Sequence, residues 1–154
     1  MNMKKLSMAL TTLFGIGLLI FNSCGTVPIT GRRQLNLVSD GEILAASATQ
    51  YRQFISKSQL SHNSTYNNKV TQVGRRLAAA TNIYLKQNGY ESMLSTLSWE
   101  FNVVDSKQVN AFCMPGGKIV VYTGLLNLVG NGAHSDDELA AVMGHELSHA
   151  LAKH

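Results

Sequence analysis

The chain has 154 residues, with 13 basic and 9 acidic side chains and two cysteines. This length is enough for one small domain with a hydrophobic core, and two cysteines exclude a disulfide framework. Basic residues occur as isolated pairs, Arg32-Arg33 and Arg75-Arg76, rather than as a stripe with interleaved aromatics. This distribution is typical of a solvated surface and indicates no nucleic-acid partner.

The first 23 residues have the pattern of a secretory signal. Lys4 and Lys5 precede an apolar run from Leu6 to Phe21, and a basic segment followed by a hydrophobic one is typical of a signal peptide. A transmembrane anchor is the alternative, but the run is shorter than the ~20 residues that span a bilayer. Residues 1–23 are therefore predicted to be a signal peptide. Without them the chain carries 11 basic and 9 acidic residues, a net charge of +2.

The four residues from 22 to 25 indicate a lipid anchor. Asn22-Ser23-Cys24-Gly25 resembles the lipobox of bacterial lipoproteins, in which a small residue precedes the cysteine that becomes lipidated. Lipidation at Cys24 is predicted, with ordinary cleavage or a retained anchor as the alternatives. Gly25 stands where an aspartate commonly retains such proteins in the inner membrane. The expected location is the outer membrane, facing the periplasm.

Residues 24–38 are predicted to be a tether, because they contain Pro28 and Gly31 and show little periodicity. The domain proper is predicted to begin at residue 39 and to continue to residue 154.

The domain opens with two predicted helices. Ser39-Asp40-Gly41-Glu42 has the form of a capping box, and apolar residues at three- and four-residue intervals predict helices through Leu44–Ile55 and from about Thr65 to Lys86. The polar segment Ser56–Asn68 is predicted to be a loop. His62 within it has no partner at metal-ligand spacing, so it is predicted to be solvated.

The spacing of apolar residues then changes from that of a helix to that of a strand. Trp99, Phe101 and Val103 alternate with polar residues, which predicts a strand with one buried face. A second strand is predicted at Lys118–Thr123, directly after a Pro-Gly-Gly turn. Gly124–Val129 is predicted to form a short helix. Cys113 is predicted to be a small buried hydrophobe, with a thiol close to the metal site as the alternative.

The last stretch of the chain contains the candidate metal-binding and catalytic residues. His145, Glu146 and His149 form the pattern HExxH, the two-histidine zinc motif of metallopeptidases. Ser135-Asp136-Asp137-Glu138 has the form of a second capping box and predicts the helix start. Apolar residues then recur at helical spacing, at Leu139, Val142, Met143, Leu147 and Ala150. The motif is therefore predicted to lie on a largely buried helix, with buried histidines that need a partner.

Zinc is the expected partner, with one ion per chain. Residues four apart share a face of a helix, so His145 and His149 can converge on one ion at about 2.0–2.1 Å. Zinc lowers the pKa of a bound water toward about 7. Glu146 lies at the edge of the same face and is predicted to be the general base that takes the proton of that water.

Three segments together resemble one metallopeptidase family. They are NAFCMPGGKIVVYTGLL (residues 110–126), DELAAV (137–142) and HELSHALAKH (145–154). They are similar to the gluzincin family that contains the CAAX prenyl proteases and the HtpX heat-shock proteases. The match is close to the soluble, envelope-located branch of that family, which is related to the mitochondrial inner-membrane stress protease. VPITGRRQLNLVSD (27–40) is similar to the start of such bacterial lipoproteins.

The resemblance implies a fold and an activity. It implies an α+β, zincin-like fold in which the HExxH helix packs on a small sheet, and a zinc-dependent endopeptidase that acts on misfolded or membrane-associated proteins of the cell envelope. A strand beside the active helix would bind extended polypeptide substrates. Gly117, Lys118, Ile119 and Val120 are the predicted substrate-binding residues, because strand addition uses main-chain hydrogen bonds. The alternative for this segment is an ordinary core strand.

One zinc ligand is missing from the pattern. A catalytic zinc takes three protein ligands, and the resemblance implies that the third is a glutamate on a later helix, beyond residue 154. His154 does not substitute, because five residues on a helix rotate it by about 140° from His149. The chain is therefore expected to be a truncated part of a peptidase domain. A catalytically inactive lipoprotein or scaffold remnant of that fold is the alternative.

Overall fold

The computed structural model describes residues 24–27, 29–31, 33–35 and 38–153. The predicted signal peptide, residues 1–23, and His154 lie outside the described residues. The described residues before Asp40 and those from Asp40 onwards belong to two separate compact units. In the described part of the chain, no helix combines the length and the apolar character that a membrane span requires.

The first unit contains a short ribbon. Strand β1 (Cys24–Thr26) pairs antiparallel with β2 (Arg33–Leu35). Gly31 between them has a φ of +65° and donates its N–H to the carbonyl of Val27 at 2.8 Å. The residues predicted to be a tether therefore include a short β-ribbon. Strands of three residues are too short to show a period, so only the pairing reveals them.

The second unit is built on a three-stranded sheet. Its helices are α1 (Asp40–Lys57), α2 (Ser64–Gln87), α3 (Thr123–Val129) and α4 (Ser135–Leu151), with a 3₁₀ turn at Glu91–Thr96, and its strands are β3 (Glu100–Val104), β4 (Ala111–Met114) and β5 (Lys118–Tyr122). The strand order is β3-β5-β4, so β5 is central, parallel to β3 and antiparallel to β4. The predicted α+β class is confirmed.

Helices cover both faces of this sheet. On one face, Tyr51 of α1 packs with Val104 and Val120. On the other face lies the larger core, to which α2, α3 and α4 contribute. Its buried members are Val70, Val73, Val103, Ala111, Ile119, Val121, Leu125, Leu126, Leu139 and Met143. Successive strand residues point to opposite faces. Because both faces of β5 are covered, its residues are apolar on both faces, apart from Lys118 and Tyr122.

The helix bounds are close to the predicted ones. α2 is capped by Asn63, whose side-chain oxygen accepts the N–H of Tyr66 at 3.2 Å. The helix therefore begins at Ser64, and the loop after α1 is shorter than the predicted Ser56–Asn68. His62 lies in this loop and is exposed, as predicted.

Candidate active site

The helix that carries the HExxH motif is held by a buried stripe. Leu139, Met143 and Leu147 of α4 are 0%, 0% and 3% exposed, and at spacings of four residues they share one face of the helix. Gly144 lies beside α2, where a Cβ would make an ordinary contact at 3.8 Å with a methyl carbon of Leu77. The stripe fixes which way every other side chain of α4 points.

The start of α4 is fixed by a lysine from another helix rather than by the predicted capping box. The N-cap residue is His134, and no side chain caps the helix there. Ser135 is buried, and its hydroxyl accepts a hydrogen bond from Nζ of Lys69 at 2.7 Å. Lys69 also donates to the carbonyl of Gly130 at 2.8 Å and lies 3.7 Å from Oδ1 of Asp136. A long-range partner has therefore displaced the local cap.

His145 and His149 meet on the outer face of α4. Their Nε2 atoms are 3.0 Å apart, and their rings are nearly perpendicular with centroids at 4.5 Å. Both side chains are exposed, so the prediction of buried histidines is wrong. The Leu139–Leu147 stripe takes the buried face, and the motif histidines lie on the other side of the helix.

Glu146 lies near Cys113 of the sheet. It is half-buried, and the strand packed against α4 is β4. Burial, and to a smaller extent the nearby Glu146 carboxylate, raise the pKa of the Cys113 thiol on β4 to about 12. At neutral pH the thiol is therefore protonated and acts as a small apolar group, which agrees with the structural role predicted for Cys113.

The two imidazoles fit two of the ligand positions of a zinc ion. Nitrogen atoms 3.0 Å apart can both lie at the usual distance of about 2.0–2.1 Å from one ion. No cluster of three or more His, Cys, Asp or Glu side chains able to hold a metal occurs among the described residues, 24–27, 29–31, 33–35 and 38–153. The arrangement supplies two histidine ligands and an adjacent carboxylate.

The predicted substrate-binding residues lie inside the sheet. Ile119 and Val120 belong to the central strand, whose two sides are both paired, and both side chains are fully buried. Lys118 is buried and forms a 2.5 Å ion pair with Glu100, and the carbonyl of Gly117 accepts the N–H of Glu100 at 3.1 Å. Main-chain addition to this strand is therefore excluded, and this prediction is wrong.

The strand edge beside the motif helix belongs to β4. In the described part of the chain, Ala111–Met114 pairs only with β5, on one side. β4 was not predicted, because all four of its residues are apolar and show no alternation. The strand packs against α4 on one face, and Phe112 and Met114 join the α1 core on the other. A strand buried on both faces lacks the alternation that identifies one.

The fold and the converging histidines define the class, an α+β domain with the HExxH helix of metallopeptidases. Comparison with known families agrees, since the model of Peptidase family M48 matches residues 64–154. The chain belongs to Peptidase family M48. The resemblance to a zinc metallopeptidase family found in the sequence is confirmed.

Similar proteins include mitochondrial and bacterial metallopeptidases. Mitochondrial metalloendopeptidase OMA1 of Arabidopsis thaliana is 52% identical over 69 residues, which cover 45% of this chain and 13% of that protein. OMA1 of Danio rerio is 32% identical over 142 residues, or 90% of this chain and 27% of that protein. Metalloprotease LoiP of Escherichia coli is 41% identical over 54 residues, or 35% and 19%. The chain thus spans less than a third of the length of each.

Proposed function

We propose that residues 39–154 form the N-terminal part of the catalytic domain of a zinc-dependent metalloendopeptidase. The observation that carries the proposal is the 3.0 Å approach of Nε2 of His145 to Nε2 of His149, with Glu146 next in sequence and near Cys113 of β4. Membership of Peptidase family M48 over residues 64–154 supports it.

Each residue of the motif has a distinct role in this proposal. His145 and His149 bind one Zn²⁺ through their Nε2 atoms, and a glutamate from a later helix, implied by the family resemblance, completes the set of three protein ligands. The bound ion supplies Lewis acidity and a water of lowered pKa. Glu146 takes the proton of the attacking water and then delivers it to the leaving amine.

The substrates in this proposal are polypeptides bound in extended form. The outer edge of β4 offers main-chain N–H and C=O groups beside α4, and an extended peptide can add to such an edge by main-chain hydrogen bonds. Because this recognition reads the backbone rather than particular side chains, it suits misfolded proteins of the envelope. Here β4 takes the role predicted for Gly117–Val120.

The proposed location is the bacterial cell envelope. Residues 1–23 act as a signal peptide, lipid attached to Cys24 anchors the mature chain to the membrane, and residues 24–38 tether the peptidase domain. The absence of an aspartate at position 25 favours the outer membrane, with the domain facing the periplasm.

Chelation tests this proposal in the full-length protein. We expect casein cleavage to fall at least tenfold with 1,10-phenanthroline, because the zinc-activated water is lost, and to recover when Zn²⁺ is restored. The isomer 1,7-phenanthroline, which does not chelate, is the matched control and should leave the rate unchanged. Cleavage that resists chelation would refute a zinc mechanism, and absence of cleavage from the zinc-loaded protein would favour an inactive scaffold.

A further inference from the structure

Charge is distributed unevenly along the peptidase domain. From Ile43 to Tyr90 the chain contains six basic side chains and no acidic one. Two of the six lie on α1 and four on α2. They are Arg52, Lys57, Lys69, Arg75, Arg76 and Lys86. All charged residues of helix α2 are therefore basic. The next acidic residue along the chain is Glu91, in the 3₁₀ turn.

Three of the four cations on α2 face solvent. Lys69 is largely buried and contacts the segment before α4. Arg75, Arg76 and Lys86 are exposed, and none of them takes part in an ion pair among the described residues. Their positive charge is therefore presented outward.

Apolar side chains stand among these cations. Ile83 is 56% exposed and Tyr84 46% exposed. Arg76, Ala79, Ala80 and Ile83 recur at spacings of three, four and seven residues, so they share one face of α2. Both alanines are exposed and short, so Ile83 projects beyond its neighbours. The opposite face of α2, with Val70 and Val73, is buried in the core and is not available to a partner.

We propose that this outer face of α2, formed by Arg75, Arg76, Ala79, Ala80, Ile83 and Lys86, binds the surface of an anionic lipid bilayer. Lys and Arg near such a surface are attracted to its negative potential. A projecting aliphatic side chain flanked by cations matches the interfacial region, where apolar groups enter the headgroup layer while charges stay in water.

The shape of the face favours a bilayer over a protein partner. The face is one side of a single convex helix, whereas strong protein contacts concentrate in side chains that fill pockets. A bilayer needs no pocket, since its surface adapts to a cylinder lying on it. An acidic protein or a second copy of this chain is an alternative that the experiment separates.

Vesicle sedimentation of the chain without the predicted signal peptide, residues 1–23, and with Cys24→Ser in every sample tests the proposal. Neither the apolar Leu6–Phe21 run nor a lipid anchor then contributes. We expect binding to phosphatidylcholine vesicles containing phosphatidylglycerol to exceed binding to phosphatidylcholine alone, and to weaken as salt is raised. Arg75→Gln with Arg76→Gln should lower the partition coefficient roughly tenfold or more. Ile83→Ser should lower it by roughly fivefold or more.

The matched control removes the same charge from the other side of the sheet. Arg52→Gln with Lys57→Gln on α1 leaves the α2 face intact, so we expect a change of less than about twofold, because only the distant field is altered. Equal losses in the two double variants, or equal binding to neutral and anionic vesicles, would overturn the proposal. So would a dimer abolished by Ile83→Ser while vesicle binding is unchanged.

Discussion

Replacing Glu146 with glutamine in the full-length protein is expected to lower peptide hydrolysis by about 10²–10⁴-fold while zinc stays bound. Glutamine keeps the shape of the side chain but cannot take a proton from water. His145 and His149 lie on the outer face of α4, held by the Leu139–Leu147 stripe, so the substitution leaves the proposed ligands in place. The measurement is the rate of casein cleavage beside the zinc content of the same preparation.

Glu138→Gln is the matched control for this variant. Glu138 lies on the same helix and is exposed in its first turn, so the change in charge is the same but occurs two turns from the histidines. Its cleavage rate should equal that of the wild type. A Glu146→Gln protein that cleaves casein at the wild-type rate would remove Glu146 from the role of general base.

The largest expected effect on stability comes from Gly124→Ala at the start of α3. A Cβ at this position would lie 2.4 Å from the carbonyl oxygens of both Lys107 and Gln108. These are backbone atoms, and the Gly124 N–H also donates to the carbonyl of Ser106 at 2.8 Å, so the loop cannot withdraw without losing that bond. We expect the free energy of unfolding to fall by about 2–3 kcal/mol, measured by urea denaturation.

Gly41→Ala is the control, because the same methyl group is added where nothing lies within 4 Å. Gly41 is in the first turn of α1, so alanine there should leave the stability unchanged or raise it by up to about 1 kcal/mol. If both variants unfold at the same urea concentration, the close packing of loop 105–108 on α3 is contradicted.

The periodicity of apolar residues predicted the elements that have one buried and one solvent-exposed face. α1 and α2 each carry a buried stripe opposite a polar one, and their bounds lie within a few residues of the prediction. The alternation of Trp99, Phe101 and Val103 likewise predicted β3, although Val104 packs on its other face. β4 was missed because Ala111–Met114 is covered on both faces and so has no alternation to detect. That omission also explains the wrong assignment of the substrate strand, since Lys118–Val120 looks like an edge strand only while β4 is unknown.

The orientation of the active-site helix is a second feature that the sequence could not predict. HExxH spacing alone placed His145, Glu146 and His149 near one another, because four residues close one helical turn. The rotation of that helix about its axis depends on long-range packing, so the exposure of the histidines could not be predicted. The partner of Ser135 is likewise remote: Lys69 lies 66 residues earlier, and no local pattern indicates it.

Zinc content is the most direct measurement of the central claim, that α4 is a zinc-binding helix. The purified full-length protein should contain about one zinc per chain, and His145→Ala and His149→Ala should each lower this to below about 0.1, because each change removes one of the proposed protein ligands. His62→Ala, which changes an exposed loop histidine, should retain the full content. A His149→Ala protein that keeps the wild-type amount of zinc would contradict the account.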